Sequence, residues 1–236
     1  MDHLSECSFP LSKGRACFLL AHYFIGYQFL YPNIFADLTL RMDPGAKMIH
    51  PWFQMGIYIW MIAVTITVAW PLLKESMQTF LRDPLSIIKT CLKMLVLFYV
   101  VNIIVNLIVL MFSSTNESAN QTQVIEAMQV FPAITLFSSL IYAPIVEEIL
   151  FRGICYRALR PKFRFIAAAL FSAFIFGFIH VMNSVFIGNF NDLIYLLSYG
   201  CIGFFLALTY EKTNSIYGSM FLHFLNNAIA FLLLIV

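Results

Sequence analysis

The chain has 236 residues, of which 61% are hydrophobic and only 11% charged, against about a quarter charged in an average soluble domain. Fourteen Lys and Arg against twelve Asp and Glu leave a net charge of +2, too few charges to cover a soluble globule of this size. That excludes a soluble enzyme, a nucleic-acid binder and a disordered tail, and leaves an all-α polytopic membrane protein, because spanning a bilayer takes runs of roughly 20 apolar residues.

The N-terminus does not read as a cleavable signal peptide. Asp2 and Glu6 precede Lys13 and Arg15, and the apolar stretch that follows runs on without a small-residue cleavage site. Seven apolar stretches then follow in order, at about 16–36, 53–73, 94–112, 131–151, 165–187, 193–210 and 216–236. They fill the chain, so residues 1–236 read as a single transmembrane domain. Pro32 and Asp37 interrupt the first stretch, which leaves a re-entrant or interfacial helix open there. Residues 113–123 (SSTNESANQTQ) read as a polar loop, and the sequons at Asn116 and Asn120 as chance matches. Cys7, Cys17, Cys91, Cys155 and Cys201 lie far apart with no metal-type spacing, so they are expected to be free thiols.

Lys and Arg predict the orientation. Twelve of them fall before the first stretch or after the second, fourth and sixth. Arg41 and Lys47 alone fall on the other side. The split predicts a multi-pass cell-membrane protein with its N-terminus in the cytoplasm and its C-terminus outside.

Among the acidic residues, Glu147 and Glu148 stand out because they fall within an apolar stretch, IYAPIVEEILFRG. A charge at bilayer depth costs about 2.5–3.5 kcal/mol on insertion scales, so two adjacent ones need a reason. Neighbours on a helix point about 100° apart. Glu148 and Arg152 are four residues apart and can form a structural ion pair. Glu147 points elsewhere and has no local cation, which leaves it available as a general base or acid.

Two histidines lie deep in later stretches. His180 follows Phe176 by one turn, so the phenyl ring can support the imidazole. His223 precedes Asn227 by one turn. His22, Asn102 and Asn106 read instead as interhelical hydrogen-bonding groups. Glu147 lies 15 residues before Lys162, at the turn between the fourth and fifth stretches, and His180 lies 18 after it. The difference is about 4.5 Å of helix rise, which a side chain or helix tilt can close. His223, nine residues past the turn at Asn214, completes a group expected to share one cavity open to the cytoplasmic side.

Glu147-Glu148-x-x-x-Arg152, Phe176-x-x-x-His180 and His223-x-x-x-Asn227 resemble the three signature motifs of the CPBP (Abi) family. That family comprises CAAX proteases and bacteriocin-processing or immunity proteins. The resemblance covers about residues 131–236, with each motif on its own apolar stretch, and the short chain and compact loops fit a bacterial member. It implies an intramembrane endopeptidase whose active site lies between the fourth, fifth and seventh helices. By that resemblance Glu147 and His180 would hold and activate water, and His223 and Asn227 would bind the oxyanion.

No cofactor is expected. Zinc is the rival, with Glu147, His180 and His223 as the ligand set, although HExxH is absent and the base would then have to be Glu148. Two other functions are also compatible with the sequence. One is a non-catalytic adaptor or self-immunity protein contacting a membrane partner such as a sensor kinase, which would tolerate loss of Glu147. The other is a small transporter, although no inverted repeat is evident. The expected partners are the lipid bilayer and a peptide or membrane-protein substrate, a pheromone precursor or bacteriocin leader fitting better than a prenylated protein. No nucleic-acid partner is expected.

Overall fold

The computed structural model describes residues 9–235, which contain helices and no strand. Asp2, Glu6, Cys7 and Val236 lie outside the described residues. The first helix, α1, runs continuously over residues 13–42 through a π-helical middle, His22–Leu30. It is followed by α2 (Pro51–Val68), α3 (Trp70–Arg82), α4 (Pro84–Phe112) and α5 (Ala119–Val130). The C-terminal half is built from α6 (Pro132–Leu159), α7 (Phe165–Phe186), α8 (Phe190–Thr213) and α9 (Ile216–Ile235).

Six of these helices, α2, α4 and α6 to α9, are long and apolar enough to cross a membrane. The chain is therefore a multi-pass, all-α membrane protein. α1 is not among the six. His22, Tyr23, Tyr27, Gln28, Tyr31 and Asn33 dilute its apolar character. Instead of facing lipid all round, α1 inserts Tyr23 against Phe151 of α6 (ring centroids 6.0 Å apart) and pairs its His22 Nδ1 with its own Tyr31 hydroxyl at 2.9 Å. At α4, Val96, Val100, Ile103, Leu107 and Met111 remain exposed, as a lipid-facing surface should. Asn106 bonds across to α8, its Oδ1 accepting from Ser198 Oγ at 2.6 Å.

Helix ends follow local chemistry. Pro51, Pro84 and Pro132 open α2, α4 and α6, where a missing N–H costs nothing. Asp83 caps α4 by accepting from Ser86 N at 3.0 Å. Asn214 ends α8 in the left-handed region (φ 50°), a conformation that asparagine tolerates. The expected polar loop at 113–123 is helical in its second part. Ser118 Oγ accepts from Gln121 N at 3.1 Å and starts α5.

The closest helix packing is between α7 and α8. A Cβ on Gly177 would lie 2.8 Å from Leu196 Cδ1, and one on Gly203 would lie 3.0 Å from Ala173 Cα. Glycine at both positions lets the backbones approach, as small residues do in membrane bundles. That approach places Phe176 and His180 of α7 beside α8 and α9.

Candidate active site

Glu147 and Glu148 end a short α-helical segment of α6, Ala143–Glu148, which lies between π-helical segments Ser138–Tyr142 and Ile149–Tyr156. Pro144 accounts for the first irregularity. The Ala143 N–H bonds back to the Ser138 carbonyl, and Pro144 has no N–H to offer the next carbonyl, that of Ser139. The freed Ser139 oxygen accepts from Asn227 Nδ2 of α9 at 2.7 Å. A proline one turn before Glu147 thus creates the socket that orients Asn227. Asn227 Oδ1 accepts from Asn226 Nδ2 at 3.2 Å, so one Asn227 N–H is left to offer.

Glu148 is fully buried and paired with Arg152 at 2.9 Å, as its spacing predicts. It does more than that spacing indicates. The same Oε1 accepts from His223 Nδ1 at 2.9 Å, so one carboxylate oxygen fixes both a cation and an imidazole. Arg152 also donates to the Gly203 carbonyl at 2.9 Å and lies 4.3 Å from the centre of the Phe176 ring. Phe176 packs against both imidazoles, with ring centroids 4.8 Å from His180 and 5.7 Å from His223.

His180 Nδ1 lies 2.8 Å from the Phe176 carbonyl. A carbonyl only accepts, so Nδ1 carries the proton and Nε2 keeps its lone pair. Tyr199 of α8 stacks on the other side of the imidazole, 4.5 Å away and only 20° from parallel. Its hydroxyl bonds Ser118 Oγ at 2.6 Å and accepts from Asn120 Nδ2 at 3.2 Å, at the start of α5.

Glu147, Phe176, His180, His223 and Asn227 all line one cavity of about 640 Å³. Glu147 Oε2 is buried without a hydrogen-bond partner, and so is the hydroxyl of Tyr142 on the cavity wall. Tyr27 and Tyr58 extend that wall, their rings 5.2 and 4.8 Å from Tyr142. The mouth is formed by Met48, by Asn120, Gln121 and Glu126 of α5, and by Leu234 near the end of α9.

The position of the mouth corrects one expectation. The cavity does not open toward the Lys162 turn. It opens at the opposite end, under α5. The Lys162 end is packed shut by ion pairs of Arg157 with Glu75 (2.6 Å) and Arg160 with Glu211 (2.8 Å). Among the described residues, no three His, Cys, Asp or Glu side chains stand close enough together to hold a metal ion.

Residues 129–229 match the family described as type II CAAX prenyl endopeptidase, Rce1-like. The match starts just before α6 and carries all three motifs. Over residues 129–229 the chain is similar to this CPBP family. A curated relative, YdiL of Bacillus subtilis (strain 168), is 35% identical over 116 residues, and its name provisionally describes a membrane peptidase. The alignment covers 49% of this chain and 43% of that protein, so the chain spans under half the length of the relative it matches. No solved structure matches. The motifs account for five of the residues lining the cavity, Glu147, Phe176, His180, His223 and Asn227, and for Glu148 and Arg152 behind them. They leave out Tyr199, Tyr142, Asn226 and the Ser139 carbonyl. Of these, only the Asn226-Asn227 pair stands out in an apolar stretch.

Proposed function

We propose that this chain is an intramembrane endopeptidase of the CPBP family that hydrolyses a peptide bond with water activated by Glu147 and His180. The observation that carries the reading is the convergence of Glu147, His180, His223 and Asn227 on one cavity, with Glu147 Oε2 unpartnered. In this mechanism Glu147 takes a proton from water while His180 Nε2 orients it. The water oxygen adds to the peptide carbonyl carbon. The developing oxyanion receives the spare N–H of Asn227 and Nε2–H of a protonated His223, whose charge is supported by Glu148 at Nδ1. Glu147 then passes its proton to the leaving nitrogen as the C–N bond breaks.

No metal takes part in this scheme. Both imidazole Nδ1 atoms are committed to fixed acceptors, and Glu148 is committed to Arg152 and His223. The substrate class is a peptide precursor or a membrane-associated protein segment. The Lys and Arg split supports a cytoplasmic turn at 160–164, and with it a cavity mouth on the outer face.

The test compares the peptides released by cells carrying the wild type and Glu147→Gln, followed by cleavage of any differing precursor by purified protein. A precursor that persists only in the variant supports the proposal. Identical peptide profiles together with no cleavage by the pure protein would sink it. Chelators should leave cleavage intact. Loss on chelation, with recovery on adding zinc, would rewrite Glu147, His180 and His223 as ligands.

A further inference from the structure

The cavity lining has a one-sided charge. Glu126 and Glu147 contribute carboxyl groups, and no Lys or Arg lines the cavity among the described residues. The eight residues before them contain no Lys or Arg either. Glu126 is exposed at the mouth on α5 and makes no ion pair or hydrogen bond among the described residues. The same end of the molecule carries Asp43 and Glu117. Its cations are Arg41, which is paired with Asp37 at 2.8 Å, and Lys47, which is outside the lining.

An unpaired carboxylate at the mouth of a cleft attracts cations, because the low-dielectric walls of the cleft focus its field. A substrate ammonium or guanidinium arriving there gains a charge-assisted bond and neutralises Glu126 at once. An acidic side chain, or a free C-terminal carboxylate, would meet a like charge at the mouth and no Lys or Arg in the lining. Beside Glu126, the carboxamides of Gln121, Gln123 and Asn120 offer donors and acceptors suited to the backbone of an extended peptide.

We infer that Glu126 is a specificity residue of the proposed endopeptidase site, selecting peptides that carry Lys, Arg or a free α-amine within a few residues of the cleaved bond. The inference rests on the proteolytic reading for its consequence in cleavage, but the charge preference itself is a property of binding and can be measured without turnover.

The experiment uses the full chain in lipid nanodiscs and a library of fluorogenic twelve-residue peptides in matched sets that differ only by Lys, Gln or Glu at one position. Wild type should cleave Lys members about tenfold faster than their Glu partners, a gap equal to roughly 1.4 kcal/mol. The gap should narrow as salt rises. Glu126→Gln should level it and Glu126→Lys should invert it. A second arm measures binding of the same labelled peptides to Glu147→Gln protein by fluorescence anisotropy, with and without the Glu126 changes. Thermal melting confirms that each variant is folded, and the milder Glu126→Gln decides the matter if Glu126→Lys is not. The inference is overturned if both arms show the same charge preference in wild type and folded Glu126 variants, or if acidic peptides are preferred. If no peptide is cleaved in a Glu147-dependent way, the proteolytic reading fails instead, and the binding arm still decides the role of Glu126.

Discussion

The two ends of the helix bundle use the same residue types in opposite ways. At the Lys162 end every acid shown has a partner. Tyr156 donates to Glu211 Oε2 at 2.5 Å, Arg160 bonds Glu211 Oε1 at 2.8 Å, and Arg157 bonds Glu75 at 2.6 Å and Tyr210 at 3.2 Å. Ser215 Oγ donates to the Ser76 carbonyl at 3.0 Å and closes the remaining gap. At the mouth end Glu126 is unpaired, and Glu147 Oε2 and the Tyr142 hydroxyl are unsatisfied in the cavity wall. A buried polar group without a partner costs about 1–3 kcal/mol. Glu148 Oε2 and Arg157 Nε are unsatisfied as well, so the difference lies in ion pairing. Glu75, Glu148 and Glu211 each bond an arginine, and Glu126 and Glu147 bond none among the described residues, which separates carboxylates that hold the fold from carboxylates available for chemistry.

The sharpest way to break this contrast is to remove the unpartnered group. Glu147→Gln and His180→Ala should each lower cleavage by about 10²–10⁴-fold, the usual contribution of a positioned proton-transfer group. Membrane accumulation should stay near wild type, because no ion pair is lost. Cleavage by either variant at close to the wild-type rate would show that the orphaned oxygen is not the reactive one.

Orientation gives an all-or-none test of which end faces which compartment. A single cysteine at position 116, which is exposed in the loop before α5, in a background without the other cysteines, should react with an impermeant maleimide added outside intact cells. One at position 162 should react only after the membrane is opened. The reverse pattern would put the mouth in the cytoplasm and leave the charge split unexplained.

Glu148, which is ion-paired with Arg152, should behave as the converse of Glu147. Arg152→Ala or Glu148→Ala leaves a buried charge uncompensated, at a cost of about 3–5 kcal/mol. Both variants should accumulate poorly and melt well below Glu147→Ala. Equal levels and equal melting of all three would erase the distinction between structural and reactive carboxylates. Glu148 also fixes His223 Nδ1, so any Glu148→Ala protein that does fold should still be slow.

How much of this was legible in the sequence depends on the signal each residue gives against its background. Glu147, His180, His223 and Asn227 are polar groups in apolar stretches, so their isolation marks them, and the spacing of Glu148 and Arg152 predicts their pair. Tyr199 and Tyr142 give no such signal in a chain that is 17% aromatic. The direction of the mouth was not legible either. Counting residues from Lys162 measures depth, but does not show which end is packed shut. That is decided by Glu75 and Glu211, which reach Arg157 and Arg160 across 82 and 51 residues of chain. The helix α5 over the mouth mixes polar and apolar residues, with Val124, Ile125, Met128 and Val130 among its glutamines, and does not stand out as an apolar stretch. Only its cap, Ser118, marks where it begins.

Tyr199 joins the mouth to the reactive group and gives the smallest and most specific effect. Its ring supports His180, while its hydroxyl holds Ser118 and Asn120 at the start of α5. The two roles separate by substitution. Tyr199→Phe keeps the stack and loses the bonds to α5, so kcat should be nearly unchanged while KM rises a few-fold, because a loosened mouth binds substrate less well. Tyr199→Leu loses the stack as well, and kcat should fall about tenfold further as the imidazole gains freedom, a misplacement of the kind that weakens catalysis from outside the reacting groups. Measuring kcat and KM for both variants on one peptide decides between the roles. Equal losses of kcat in the two variants would mean that the hydroxyl, and not the ring, is what His180 depends on.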